Sequence, residues 1–355
     1  EIPLRLVGSE MCIRDSRKRH QYLGIEERHM KTEILRMLKS TGDYLSGQQL
    51  CGMLGVSRTA VWKAVGELRE EGYVIEAVRN RGYRLVEGAD VITQAELASM
   101  LHTQWIGTRL EYFDETDSTN IRARKLAEEG APHGTLVVAD RQTAGKGRRG
   151  KSWVSPAGTG IWMSMVLRPA MSPMSASMLT LIAGLAVVRG VKESTGFEAM
   201  IKWPNDAVLN GKKICGILTE MSTEVECIRY VIPGIGINVN IDDFPEEIRA
   251  TATSLKLEAG RSIKRSLVIA AVADSFEYYY DIFMKTCDMS GLRDDYNKAL
   301  VNLNREVLVL DPRGQYKGKA LGIDNEGSLL VRREDGNVSA VISGEVSVRG
   351  IYGYV

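Results

Sequence analysis

A chain of 355 residues has room for roughly two or three domains, and 44% apolar residues supply their cores. Lysine and arginine total 46 against 45 aspartate and glutamate, so no whole-chain basic field draws it to nucleic acid; any DNA contact must come from local architecture. The five cysteines, Cys12, Cys51, Cys215, Cys227 and Cys287, are odd in number and lack metal-ligand spacing, and no apolar run approaches the roughly 20 residues that cross a bilayer, so a reduced, cytoplasmic protein without membrane or export segments is expected.

Residues 1–29 show no sustained periodicity and carry a charged stretch, Arg14 to His20, that reads as a solvated tail; they are set aside from the fold, with Met30 as the expected natural start. From residue 31, Ile34, Leu35 and Leu38 share one helical face, and Ser46-Gly47-Gln48-Gln49 offers a capping box for a short second helix broken between Gly52 and Gly55. A third helix over 57–71 repeats apolar side chains at Val61, Val65 and Leu68 and stops at Gly72. Strands at 73–78 and 83–86, joined through Asn80-Arg81-Gly82, complete a winged helix-turn-helix over residues 30–90. With nine basic and eight acidic side chains in residues 31–90, charge alone does not separate a DNA-binding unit from an ordinary three-helix packing unit. Placement favours DNA: Arg58, Thr59 and Lys63 stand at the exposed start of the third helix and Arg79, Arg81 and Arg84 on the wing, whereas Trp62 is expected to pack or to touch the DNA backbone.

The character changes at Thr93-Gln94-Ala95-Glu96, a second capping box. Strands are predicted at 110–113, 135–139, 161–167 and from 230, helices over 119–129, 175–194 and 264–285, and Asn210-Gly211 marks a hairpin. Strands and helices that mix without regular alternation predict an α+β domain over 91–300 with helices gathered on one side of a mixed sheet. The end of the chain, 301–355, is nearly all short strands, which predicts a small SH3-like barrel.

The densest chemistry lies in residues 142–153, Gln-Thr-Ala-Gly-Lys-Gly-Arg-Arg-Gly-Lys-Ser-Trp. Gly145 to Ser152 satisfies the literal P-loop spacing, but the continuation through Pro156 and Gly158 cannot open the helix whose N-terminus a P-loop needs. What remains is a glycine-rich loop with Lys146, Arg148, Arg149 and Lys151, able to close over a carboxylate and a phosphate together, or else a solvated basic loop. Four further clusters stand beside it. Asp117-Ser118-Thr119-Asn120 at a helix start either caps that helix or binds a polar ligand. Lys202-Trp203-Pro204-Asn205-Asp206 presents a cation, a rigid turn, an amide and a carboxylate, or is a plain turn after a strand. Lys213-Ile214-Cys215-Gly216 follows the Asn-Gly turn, and Gly234 and Gly236 sit inside a strand, which marks close approach by a ligand.

Together and in this order these motifs resemble the biotin protein ligases from about Met30 to the end of the chain, and with the winged helix the subgroup that also represses the biotin operon. The loop string and Lys-Trp-Pro-Asn-Asp are highly specific as a pair. The resemblance implies biotin contacts from Ser118, Thr119, Asn120, Gln142, Lys146, Gly147, Arg148, Lys213, Gly234 and Gly236. For ATP it implies Gly145, Lys151, Trp153, Asn205, Asp206 and Asn238, with Asp206 helping to place magnesium. Lys213 and Arg148 are the expected catalytic pair. The commonest family loop has arginine where this chain has Lys146, which removes a bidentate fork and keeps the charge. The implied partners are a biotin carboxyl carrier domain, operator DNA and, with adenylate bound, a second copy of the chain through the central domain; the loop is expected to order when the site fills.

The chemistry suits these residue types. A carboxylate is a poor acyl electrophile, so ATP converts it to a mixed anhydride, and fixed cations must meet the charge that builds at the α-phosphate. Two rival readings remain: a lipoate ligase, which resembles this family in fold and adenylate chemistry, and a biotin-sensing regulator without catalysis.

Overall fold

The computed structural model describes residues 29–86, 90–224, 227–311, 314–342, 347–350 and 354–355. The expected leader therefore lies outside the described residues, except His29, which is already helical. The chain divides into two compact units between Met100 and Leu101.

In the first unit, helix α1 (29–41), α2 (Gly47–Leu54) and α3 (Arg58–Glu70) precede the strands β1 (Ile75–Val78) and β2 (Gly82–Leu85) and a last helix, α4 (Gln94–Met100). Ile34, Leu35, Leu38, Leu50, Val61, Val65 and Leu68 form one core, as the helical spacing requires. The Ser46/Gln49 capping box is formed in full. Gly52, however, lies inside α2; the break falls at Gly55, whose φ of 67° supplies the left-handed cap that a non-glycine residue adopts at a cost. β1 and β2 pair antiparallel as the wing. Trp62 does not pack: it is 69% exposed on α3. Glu96 of α4 is buried, with Lys39 Nζ at 2.7 Å and the Tyr73 hydroxyl donating at 3.0 Å. A buried carboxylate needs such partners, and meeting them fastens α4 to the winged helix. Residues 91–100 accordingly fall with this unit and not with the one that follows.

The second unit is built on a seven-stranded sheet of order β3-β4-β5-β9-β8-β7-β6. Its strands are β3 (Leu110–Thr116), β4 (Thr135–Gln142), β5 (Gly160–Val166), β6 (Met200–Lys202), β7 (Asp206–Leu209), β8 (Lys212–Glu224) and β9 (Cys227–Asn238). Among neighbouring strands only β3 and β4 pair in parallel, and a helical crossover, α5 (Thr119–Glu128), joins them. Every residue of β5 is buried, so the centre of the sheet is covered on both faces, not on one. Ala123 and Ala127 of α5 lie against Val137, Val166 and Ile232 on one of them.

Helix α6 (Leu179–Thr195) packs along α9 (Arg265–Phe283), separated from it in sequence by the short helices α7 (Glu246–Arg249) and α8 (Leu255–Ala259). Residues 173–195, a 3-10 turn leading into α6, are long and apolar enough to span a bilayer, with a mean hydropathy of 1.7 over 18 residues. The expectation that no run reaches that length fails here. The same stretch is 67% buried inside the protein, as a core helix of a large domain is. After α10 (Arg293–Ala299), five antiparallel strands, β10 (Glu306–Asp311), β11 (Gly314–Ile323), β12 (Leu329–Arg333), β13 (Val338–Val341) and β14 (Ser347–Gly350), form a sheet of order β13-β12-β11-β10-β14. Among the described residues this is a five-stranded antiparallel sheet of short strands, in keeping with the small SH3-like barrel expected there.

Two glycines of α6 make the packing against α9 testable. A Cβ at Gly190 would stand 2.7 Å from the Val272 backbone nitrogen, whereas one at Gly184 would meet Ile201 side-chain atoms at 3.6 Å, an ordinary contact. Gly190→Ala should lower the stability of this unit by about 1–3 kcal/mol through overpacking, and Gly184→Ala should leave it unchanged or raise it by up to about 1 kcal/mol through helix propensity. Urea denaturation followed in the second unit checks both, and equal effects of the two substitutions would contradict the packing.

Candidate active site

The cleft forms where the start of α5, the loop after β4 and the strands β8 and β9 meet. It is lined by all ten residues expected at biotin, namely Ser118, Thr119, Asn120, Gln142, Lys146, Gly147, Arg148, Lys213, Gly234 and Gly236, together with Trp153 and Asn205.

At one end the groups are neutral and closely bonded. Ser118 holds the N-cap position of α5, yet its hydroxyl makes no cap hydrogen bond; Asp117 instead accepts the Ser118 amide at 2.7 Å. The capping alternative thus fails for Ser118, whose side chain faces the cleft. Gln142 Oε1 accepts from the Thr119 amide at 2.8 Å and its hydroxyl at 3.2 Å. Below them the buried Ser164 Oγ sits 2.7 Å from both Thr119 Oγ1 and Asn120 Oδ1. The Asn120 amide donates to Glu220 at 2.8 Å and to the Leu218 carbonyl at 3.2 Å.

The strand glycines explain how these parts come so close. A Cβ at Gly234 would lie 2.0 Å from Asn120 Oδ1, and one at Gly236 would lie 2.7 Å from Trp153 Nε1. The approach that the glycines permit is therefore made by Asn120 and Trp153, both of them protein side chains. Gly216, opposite Gly236 in the β8–β9 ladder, completes the platform under the same indole. The Trp153 Nε1 hydrogen is buried and has no acceptor.

The charged end depends on a β-bulge. Asp206 pairs with Gly216 and Val208 with Lys213, with a register shift between Ala207 and Val208. Lys213 and Gly216 are three apart, so in a regular strand they would face opposite ways; the extra residue turns both to the Asp206 side. Lys213 Nζ then reaches Asp206 Oδ1 at 2.6 Å. Its side chain is 25% exposed, so it is a held strand residue and not a free turn lysine. Asn205 accepts from Arg148 at 2.6 Å and donates to Asp206 at 3.2 Å. Tyr354 donates to the other Asp206 oxygen, and Lys202 Nζ sits 3.4 Å from the centre of the Tyr354 ring. Burial, and then the neighbouring Arg149, push the Arg148 guanidinium below its ordinary range. A cation desolvated in this way gains more from an arriving anion than one in water.

The loop itself is a hairpin. Gly147 donates to Lys151 at 2.7 Å, Trp153 to Gly145 at 2.9 Å, and Arg149 adopts a left-handed φ of 57°. Arg149 and Gly150 at its tip are exposed, as is Lys151 just after it. Asn238 does not line the cleft: it is buried, and its amide donates to the Thr253 carbonyl. Both Asp206 oxygens are taken by Lys213, Asn205 and Tyr354, and among the described residues no three His, Cys, Asp or Glu gather to hold a metal. The donor set does not fit a resident magnesium ion.

Gly216, part of the Lys213 motif but given no role from the sequence, also lines the cleft, as do Ile217, Leu218 and Ile235, with Ser155, Ser164, Glu220 and Tyr354 behind them. Gly216 was within reach, three residues after Lys213; the others carry no local signal. In the first unit Arg58, Thr59, Lys63, Arg79 and Arg81 are all exposed, although Arg58 donates to Gln48 at 2.5 Å and Arg81 lies over the Tyr44 ring at 4.1 Å.

Three family profiles match the chain: the biotin/lipoate A/B protein ligase family over residues 112–238, an HTH domain over 31–84 and the biotin protein ligase C-terminal domain over 303–349. The bifunctional ligase/repressor BirA of Bacillus subtilis is 42% identical over 90% of this chain and 98% of its own length. That of Escherichia coli is 28% identical over 88% and 95%. Among solved structures, the biotin protein ligase from Aquifex aeolicus in complex with biotin and ATP is 33% identical and superposes with a TM-score of 0.61, covering 68% of this chain and 99% of that one. With cleft, profiles and relatives in agreement, the chain belongs to the biotin protein ligase family, in its bifunctional ligase/repressor group.

Proposed function

We propose that the chain activates biotin with ATP to biotinyl-5'-AMP, passes the biotin to a lysine of a carboxylase carrier domain, and represses transcription through its winged helix. The observation that carries this is one cleft with a neutral hydrogen-bonding end at Ser118, Thr119 and Gln142 and a cationic end at Lys213 and Arg148. A ureido ring needs the first and a carboxylate meeting an α-phosphate needs the second. The Aquifex aeolicus ligase, solved with biotin and ATP, supports the substrates, and the Bacillus subtilis relative supports the pairing of ligase with repressor.

In the first step a carboxylate oxygen of biotin attacks the α-phosphorus, the bond to pyrophosphate breaks, and an acyl–phosphate bond forms. Lys213 and Arg148 stabilise the charge on the α-phosphate oxygens. In the second step the neutral carrier amine attacks the acyl carbon, AMP leaves with the bonding pair, and the new amide nitrogen gives up its extra proton to water. A wider depression of about 910 Å³ shares Arg148, Asn205, Ile217 and Leu218 with the cleft, and it offers that amine an approach. Magnesium, in this reading, arrives with ATP and is held by the phosphates.

Relatives of this similarity that act on biotin favour it over lipoate, and the Lys213–Asp206 pair, idle in a mere sensor, favours catalysis. A protein that modifies carboxylases and binds operators works in the cytoplasm and needs no membrane. Arg58, Thr59, Lys63, Arg79 and Arg81 contact the DNA, and two-fold operators call for two copies of the chain. Adenylate drives that dimer by ordering the loop at the central domain.

Lys213→Ala should abolish biotin-dependent pyrophosphate release and leave the melting temperature within a few degrees, because Asp206 keeps Asn205 and Tyr354 as partners; parental adenylate formation would refute the role. Arg148→Gly should let adenylate escape and label bystander proteins with biotin, and a bystander-labelling assay matching the parent would count against it. Sedimentation and operator titration with and without biotin plus ATP should show dimer and tight DNA binding only with both ligands; equal behaviour would remove the regulatory half while leaving the ligase half standing.

A further inference from the structure

Ser155 lies outside the cleft lining, yet it joins the neutral end of the cleft to the loop that carries Trp153. It is 4% exposed, in a short bridge with Gln142: the Gln142 amide donates to its carbonyl at 3.1 Å. The side-chain bonds run in one direction. Thr119 gives two hydrogen bonds to Gln142 Oε1; Gln142 Nε2 donates to Ser155 Oγ at 2.9 Å; Ser155 Oγ donates to the Trp153 carbonyl at 3.0 Å. Gly145 leaves the room for this junction, since a Cβ there would lie 2.4 Å from the Trp153 carbonyl oxygen and 2.9 Å from Ser155 Oγ. At the far end the Trp153 indole covers Gly216 and Gly236 with a buried N–H that has no acceptor.

We propose that Ser155 is a positioning residue that couples the neutral end of the cleft to the seating of Trp153, so that a ligand held at Thr119 and Gln142 fixes the indole and the loop over it. The proposal rests on the biotin ligase reading and deepens it. A hydroxyl serves both links because it accepts from Gln142 and donates to the carbonyl at once; alanine removes both and leaves the Gln142 amide and the Trp153 carbonyl short of a partner. The loss falls on holding the ligand, not on the chemical step, since no reacting atom touches Ser155.

The test uses the full chain with biotin, ATP and purified carrier domain. Ser155→Ala should raise the KM for biotin and the rate of biotinyl-AMP release each by about tenfold, the worth of one or two weakened hydrogen bonds, while kcat for adenylation changes by less than about threefold. Ser155→Thr keeps the hydroxyl and should restore both quantities to within about twofold. A variant with parental KM and adenylate lifetime overturns the coupling, as does a fall in kcat at constant KM. If Ser155→Ala loses its fold, Ser155→Thr decides: a folded threonine variant that still releases adenylate tenfold faster overturns the proposal, and parental release supports it. Absence of biotin-dependent pyrophosphate exchange in the parent would instead reject the ligase reading and would do so before any variant is compared.

Discussion

The cleft is arranged around the contact between Lys213 and Asp206. An ammonium three-quarters buried needs a counter-charge to offset the water it has lost. A carboxylate in full contact would hold it too well to be of use to a second anion. Here the carboxylate is shared: Asn205 and Tyr354 also hold Asp206, so it keeps partners when the lysine turns toward a phosphate. The cation is thus pre-oriented and still able to exchange its partner, the condition under which a fixed charge stabilises a developing one.

That pair constrains the backbone around it. Lys213, Gly216 and Asp206 face one way only because a bulge at Ile214 changes the phase of β8, and the Asn210-Gly211 turn sets the register from which the bulge is counted. Once Gly216 and Gly236 face the cleft as cross-strand neighbours, the sheet there is bare backbone, and an indole can lie close against it. Lys213 then finds the Trp153 ring 5.2 Å away, a second soft partner for the same cation. One register error in this hairpin would separate the lysine from the platform and the loop from its support.

Much of this was legible in the chain, and the rest was hidden for a physical reason. The three-helix core, the wing, the Asn-Gly hairpin and the basic loop all rest on patterns a few residues long, such as Ile34, Leu35 and Leu38 on one face. The cleft lining was legible because its groups are chemically unusual together. Asn238 shows the limit: it reads as a polar group at a glycine-rich strand, yet its amide is spent on Thr253. The bulge was not legible, since Ile214 is an ordinary strand residue with no mark of irregularity. Tyr354 meets Asp206 across 148 positions, and Glu220 meets Asn120 across 100, so neither has a local signature. For Trp62 the sequence offered packing or contact with the DNA backbone, and its 69% exposure removes only the first.

The loop is the one element of the cleft poised to change. Its hairpin holds by few backbone bonds, its tip at Arg149 and Gly150 is exposed, and Arg149 occupies a left-handed conformation that costs a non-glycine residue about 1 kcal/mol or more. Four cations within six residues repel one another until an anion arrives. Such a segment sits at the low end of local stability, where a ligand's differential contacts of a few kcal/mol move most of the population. The sheet beneath it is the reverse, buried through every residue of β5. A rigid platform under a marginal loop lets occupancy of the cleft become a change of surface, which is what a chain combining a ligase cleft with a winged helix requires if one event is to be read by the other.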